Sequence, residues 1–106
     1  MKPLFEYDLY YPASPPTGEH VADRKLDQLK KKLTEFFGGV TDFRHRSAGA
    51  WKLGSVTFHD EVVLLRMLHS DRNQAREFLA RTKADLEREL EQQQVLIVER
   101  EVAQFD

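Results

Sequence analysis

The sequence predicts an α+β sandwich built in the order βαββαβ. Three observations carry that prediction. The stretch Leu4–Tyr11 alternates apolar and polar residues with a period of two, and two later regions place apolar residues at helical spacing. The stretch Gly38–Leu68 reads as two strands joined by an irregular, glycine-containing hairpin, with the only tryptophan, Trp51, in the connection. A helix precedes that hairpin, and a helix and a strand follow it.

The first strand is expected over Leu4–Tyr11. Phe5, Tyr7, Leu9 and Tyr11 fall on one face, and Glu6, Asp8 and Tyr10 on the other. The run ends in Pro-Ala-Ser-Pro-Pro-Thr-Gly-Glu, whose prolines and glycine read as an extended surface connection. Helix one is expected from Glu19 to Phe37, with Ala22, Leu26, Leu29, Leu33, Phe36 and Phe37 as its apolar stripe. Lys30, Lys31 and Lys32 lie in its second half, where cations suit the negative end of the helix dipole. They read as a solvated face rather than a phosphate site. Gly38-Gly39 ends the helix through a left-handed residue.

Val40–Ser47 is the next strand. Ser47, Ala48, Gly49 and Ala50 interrupt it as a bulge or loop, Trp51 and Lys52 resume it, Leu53-Gly54-Ser55 turn, and Val56–His69 return. Helix two opens at Asp71, which has capping-box spacing to Gln74. Ala75, Phe78, Leu79, Thr82, Leu86 and Leu90 form its stripe, and its outer face mixes Arg, Lys and Glu. Val95–Val102 is the last strand.

This order predicts a ferredoxin-like fold, with two helices on one face of a four-stranded antiparallel sheet in the spatial order 4-1-3-2. The whole chain, residues 1–106, is read as one domain. On strand three, Val63, Leu65 and Met67 are expected to face the helices, leaving Val62, Leu64, Arg66 and Leu68 on the open face. Leu4, Glu6, Asp8 and Tyr10 of strand one and Asp42, Arg44 and Arg46 of strand two are expected to join them there. Such a surface is acidic on one side and basic on the other around an apolar centre, and apolar patches rimmed by charge mark contact surfaces.

Composition narrows the function classes. Sixteen Lys and Arg against eighteen Asp and Glu leave a net charge of −2, with an isoelectric point near 6.1. That balance argues against a nucleic-acid backbone as partner, since such binding draws on clustered cations. There are no cysteines, which excludes disulfides, thiolate nucleophiles and zinc–thiolate sites, and which suits the cytoplasm. The start, Met-Lys-Pro-Leu-Phe-Glu-Tyr-Asp, lacks the apolar run of a signal peptide. The longest near-continuous apolar run, Val62–Leu68, is interrupted by Arg66 and is too short to span a membrane.

Gly39 and Thr41 in Gly-Gly-Val-Thr, then Gly49 and Trp51 in Gly-Ala-Trp, followed by an extended return strand, form a pattern that resembles a family of small uncharacterised bacterial proteins. The similarity runs from about Phe36 to Val102 and includes the ending Gln-Gln-Gln-Val-Leu-Ile-Val-Glu-Arg-Glu-Val. The family's return strand opens with an Arg-Glu pair, and Phe58-His59-Asp60-Glu61 stands in that place here. The resemblance implies a ferredoxin-like fold and no particular activity.

Four groups of residues bear on chemistry. His59, Asp60 and Glu61 are the densest set of acid–base or ligand types; alternation lets His59 and Glu61 converge but not Asp60. With His20, His45 and His69 scattered and no HxH or HExxH spacing, no metal is expected, and none of these residues is assigned to catalysis. Arg44, Arg46 and Arg66 have the types needed to clamp a carboxylate or phosphate, but cross-strand salt bridges with Glu6, Asp8 and Asp42 are preferred. Lys52–Phe58 partly matches the aromatic strand motif of RNA-recognition domains; Ser55 stands at an aromatic position, and Glu6 and Asp8 would repel phosphate. Trp51 is expected to anchor the hairpin or a subunit contact.

The resulting expectation is a non-enzymatic, cytoplasmic protein without cofactor, forming a homodimer through Val62, Leu64 and Leu68. The alternative is a small-molecule binder or enzyme of the dimeric α+β barrel type using Arg44, Arg46, Trp51, His59, Glu61 and Arg66. RNA binding ranks third.

Overall fold

The computed structural model describes residues 2–12, 19–90 and 94–105; within these, the side chains of residues 19–23, 44–51, 53 and 58–61 lie outside the described set. The order of elements is β1 (Lys2–Pro12), α1 (Glu19–Phe37), β2 (Thr41–Leu53), β3 (Val56–His69), α2 (Arg72–Glu89) and β4 (Leu96–Gln104). Two helices and a four-stranded antiparallel sheet make it an α+β fold.

The strands lie in the order β2-β3-β1-β4, so β1 and β3 are central; counted from the β4 edge this reads 4-1-3-2. In β1, Tyr7 lies opposite Met67 of β3 and Glu99 of β4, and Asp8 opposite Arg66 and Val98. That register separates the two faces, because directly opposed residues share a face.

The helix-covered face holds the core. Phe5, Tyr7, Leu9 and Tyr11 of β1 and Val63, Leu65 and Met67 of β3 are buried beneath Leu26, Leu29 and Leu33 of α1 and Ala75, Leu79 and Leu86 of α2. Each set has the period of its element, which is why a two-residue repeat and a helical stripe meet in one apolar layer. Phe36, Phe78 and His69 stack at the edge of this layer: Phe36 lies 4.0 Å from Phe78 and 5.2 Å from His69, ring centre to ring centre.

Local signals end the helices. Gly38 takes φ of +85° and donates its N–H to the Thr34 carbonyl at 2.8 Å, closing α1. Asp71 caps α2, its Oδ1 accepting from the Gln74 N–H at 3.0 Å. The capping box is only half formed, because the Asp71 N–H donates to His69 Nδ1 at 2.9 Å instead of to Gln74. α2 is tied to β4 and to Val95, the residue just before it. Near its N-terminus Arg76 Nε donates to Glu99 at 2.8 Å. Near its C-terminus Lys83 donates to the Val95 carbonyl and Glu87 accepts the Val95 N–H.

Strand two corrects the expected faces. Asp42 lies opposite Leu65 and accepts from Lys30 of α1 at 2.8 Å, so it is on the helix side, not the open side. Arg44 and Arg46 follow it at alternate positions, opposite Val63 and Glu61 in backbone register. The expected placement of Asp42 on the open face is therefore overturned. Strand two resumes after the glycine-containing interruption in the same element with two extra residues: Arg46 pairs with Glu61 and Ala50 with His59, so four positions on β2 span two on β3.

Candidate functional site

The open face of the two central strands carries a charged cluster of four residues. Alternation puts Glu6 and Asp8 on this side of β1, and the register sets Arg66 of β3 beside Asp8 and Arg100 of β4 beside Glu6. Asp8 is 1% exposed, the one fully buried carboxylate among the described residues. Arg66 grips it in bidentate fashion, Nε to Oδ1 at 2.8 Å and Nη2 to Oδ2 at 3.1 Å, and Arg100 Nη1 donates to Oδ2 at 2.9 Å. Glu6 lies 2.6 Å from Arg66 Nε and 3.4 Å from Arg100 Nη1. Phe43 of β2 lies beneath the Arg66 guanidinium, 5.2 Å from its ring centre.

The electrostatics follow from that geometry. Burial disfavours the Asp8 carboxylate, but the hydrogen bonds from Arg66 and Arg100 outweigh it and hold the carboxyl below its ordinary range. The same bonds raise both guanidinium values, against the opposing effect of burial. Two cations and two anions neutralise one another. Both arginines are already committed to carboxylates, so the cluster is built to hold three strands together rather than to capture an anion from solution.

Apolar residues surround it. Phe43 and Leu68 are 46% and 48% exposed, and Leu4, Leu64, Val98 and Val102 are half-buried. Val62 is different: it is 1% exposed, in a second apolar cluster with Val56 against Tyr10 and Leu96. Of the three expected interface residues, Leu68 is thus exposed, Leu64 is half-buried and Val62 is internal to the chain, because the hairpin bends over it.

Of the expected binding set, only Arg66 has a described side chain. Arg66 joins the open-face cluster. The side chains of Arg44, Arg46, Trp51, His59 and Glu61 lie outside the described residues; in backbone register Arg46 is opposite Glu61, Ala50 opposite His59 and Trp51 opposite Phe58. Sequence reasoning missed Arg100. Its signal was an arginine in β4 at the alternation position shared with Val98 and Val102, and recognising it required the β1–β4 register.

Elsewhere the described residues offer no deep cleft between sheet and helices, since Tyr7, Leu9, Leu33, Leu65 and Met67 fill that space at 1% exposure or less. A groove of about 200 Å³ runs between the helices, lined by Lys25, Leu29, Lys32, Thr82, Asp85 and Glu89. Among the described residues no group of three or more His, Asp or Glu is placed to hold a metal, and no helix is long and apolar enough to cross a membrane.

Comparison with family models, curated proteins and solved structures returns no match. The reading of function therefore rests on the site itself.

Proposed function

We propose that this chain is a ferredoxin-like, cytoplasmic, non-enzymatic domain that forms a homodimer through the open face of its sheet. One observation carries the reading: a fully paired, neutral Glu6–Asp8–Arg66–Arg100 cluster lies in the middle of that face, bordered by exposed Phe43 and Leu68. A paired cluster offers orientation, not catalysis, and apolar side chains beside it supply the attraction. Burying a Leu or Phe side chain contributes about 1.5–3 kcal/mol, while a standard interface needs about 800 Å² per partner. The Arg66 and Arg100 side chains are 39% and 41% exposed, which leaves them surface to meet a partner, and a two-fold contact must be self-complementary. Membership of the uncharacterised bacterial family with the Gly-Gly-x-Thr and Gly-x-Trp pattern fits this reading, as a proposal carried by Gly39, Thr41, Gly49 and Trp51.

The small-molecule reading has less to support it, because its candidate Arg66 is occupied by Asp8 and Glu6 and the space between sheet and helices is filled. RNA binding is weaker still: Glu6 and Asp8 hold the central positions where a base-stacking platform needs aromatic rings.

Sedimentation equilibrium from low to high micromolar concentration tests the proposal. A reversible dimer is expected for the wild type, shifted toward monomer by Leu68→Asp and by Phe43→Asp with circular dichroism preserved. A wild-type monomer throughout that range, or a dimer indifferent to both substitutions, would refute it.

A further inference from the structure

The β2–β3 hairpin extends past the end of β1: the last β1–β3 pair is Pro12 with Val62, yet β3 begins at Val56. Six residues of straight strand would carry Val56 roughly 20 Å beyond Val62. Instead Val56 is 6% exposed and shares an apolar cluster with Val62, against which Tyr10 of β1 and Leu96 of β4 pack. The hairpin tip reaches as far as β4, since a Cβ placed on Gly54 would lie 3.8 Å from Leu96 Cδ1. Gly54 turns the tip with φ of +56°. The register shift between Arg46 and Ala50 supplies the bend, as extra residues in one strand increase its twist and curl it. Val62, Tyr10 and Leu96 belong to the open side of the sheet by register, and Val56 shares the parity of Val62 along β3 and packs with it, so the hairpin curls over that side.

We infer that the hairpin tip is an intramolecular cap on one end of the open sheet face, covering apolar ground at Tyr10, Val62 and Leu96 that a second copy of the chain would otherwise bury. The inference rests on the self-association proposed above and adds its control: the tip confines the contact to the end of the face bearing Leu4, Leu68 and Val102. The covered end is the more apolar of the two. Its floor is Tyr10, Val62 and Leu96, whereas the uncovered end contains Glu6 and Arg100. A cap over the apolar end limits how tightly and in how many registers copies associate, which is how sheet proteins restrain exposed apolar surface.

Substituting Val56→Asp tests the cap by placing a charge where the tip meets the floor. Expected are unchanged far-ultraviolet circular dichroism, increased binding of an environment-sensitive apolar dye, and self-association at least about tenfold tighter than wild type by sedimentation. The double variant Val56→Asp/Leu96→Asp, which also charges the floor, is expected to lose that gain. Val56→Ser serves as the milder variant. A folded Val56→Asp protein with wild-type dye binding and sedimentation would overturn the cap. So would loss of the folded sheet in Val56→Ser, since Val56 would then be needed by the fold rather than covering a face of it. The two proposals fail separately. A monomeric wild type whose Val56→Asp variant associates leaves the cap standing and sinks the wild-type dimer. A dimeric wild type with a silent Val56→Asp does the reverse.

Discussion

Replacing Asp8 by Asn removes one charge from the middle of the sheet while keeping the side chain's shape. The carboxylate is 1% exposed and accepts two hydrogen bonds from Arg66 and one from Arg100. Breaking a buried pair typically costs about 3–5 kcal/mol, because a charge is left without its partner. Here the arginine side chains left behind are 39% and 41% exposed and keep Glu6, so water and Glu6 recover part of the loss. The expected cost at pH 7 is therefore about 2–3 kcal/mol. For a domain of this size that lowers the melting temperature by roughly 10–20 °C. Urea denaturation followed by circular dichroism measures it. The dependence on pH is fixed in sign. The folded-state value of Asp8 is depressed, so its contribution is full above the unfolded carboxylate value near 4 and is lost as pH falls through the lower folded value. The gap between wild type and Asp8→Asn should thus be widest at neutral pH and close in acid. A gap below about 0.5 kcal/mol at pH 7, the scale of an ordinary surface change, or one that widens in acid, would refute this account of the cluster.

Two further outcomes follow from the helix side. The hydrogen bond from Arg76, helped by the Tyr7 hydroxyl and opposed by burial, holds Glu99 down at about 2, from 4.5. Its stabilisation is present above pH 4.5 and is lost between there and about pH 2. Because Arg76 is 56% exposed, solvent screening limits the cost of Glu99→Gln to about 1 kcal/mol at pH 7, vanishing at pH 2 in a denaturation series. Burial, then the bond to Glu99, pushes Tyr7 up to about 12, so stability should fall as pH rises from 10 to about 12, and Tyr7→Phe should flatten that limb. At the start of α2, Asp71→Ala removes the acceptor for the Gln74 N–H and should cost about 1 kcal/mol by the same measurement, with Asp71→Asn largely retaining it.

The alternation of Phe5, Tyr7, Leu9 and Tyr11 and the stripe of Leu26, Leu29 and Leu33 were legible because burial on one face imposes the period of the element. The Val63, Leu65 and Met67 set was equally readable, since Arg66 marks the opposite side of that strand. Asp42 was not. A single acid two residues into a strand has no period of its own, and only its bond to Lys30 shows which side it serves. Nor did Val62 differ in kind from Leu64 or Leu68 along the sequence; what separates them is a hairpin that bends back over one and not the others.

Local chemistry by itself determined the six elements, their ends at Gly38 and Asp71, and the residues of the main core, because backbone sterics, capping and a two- or 3.6-residue period act over a few neighbouring positions. Tertiary structure alone decided that Asp8 would be buried between Arg66 and Arg100, and that Val56 would return to Leu96. Asp8 and Arg100 are 92 positions apart, and their meeting depends on the register of two strands paired across the whole chain. Register is a property of the assembled sheet: a shift of one residue would turn Asp8 from the open side into the core.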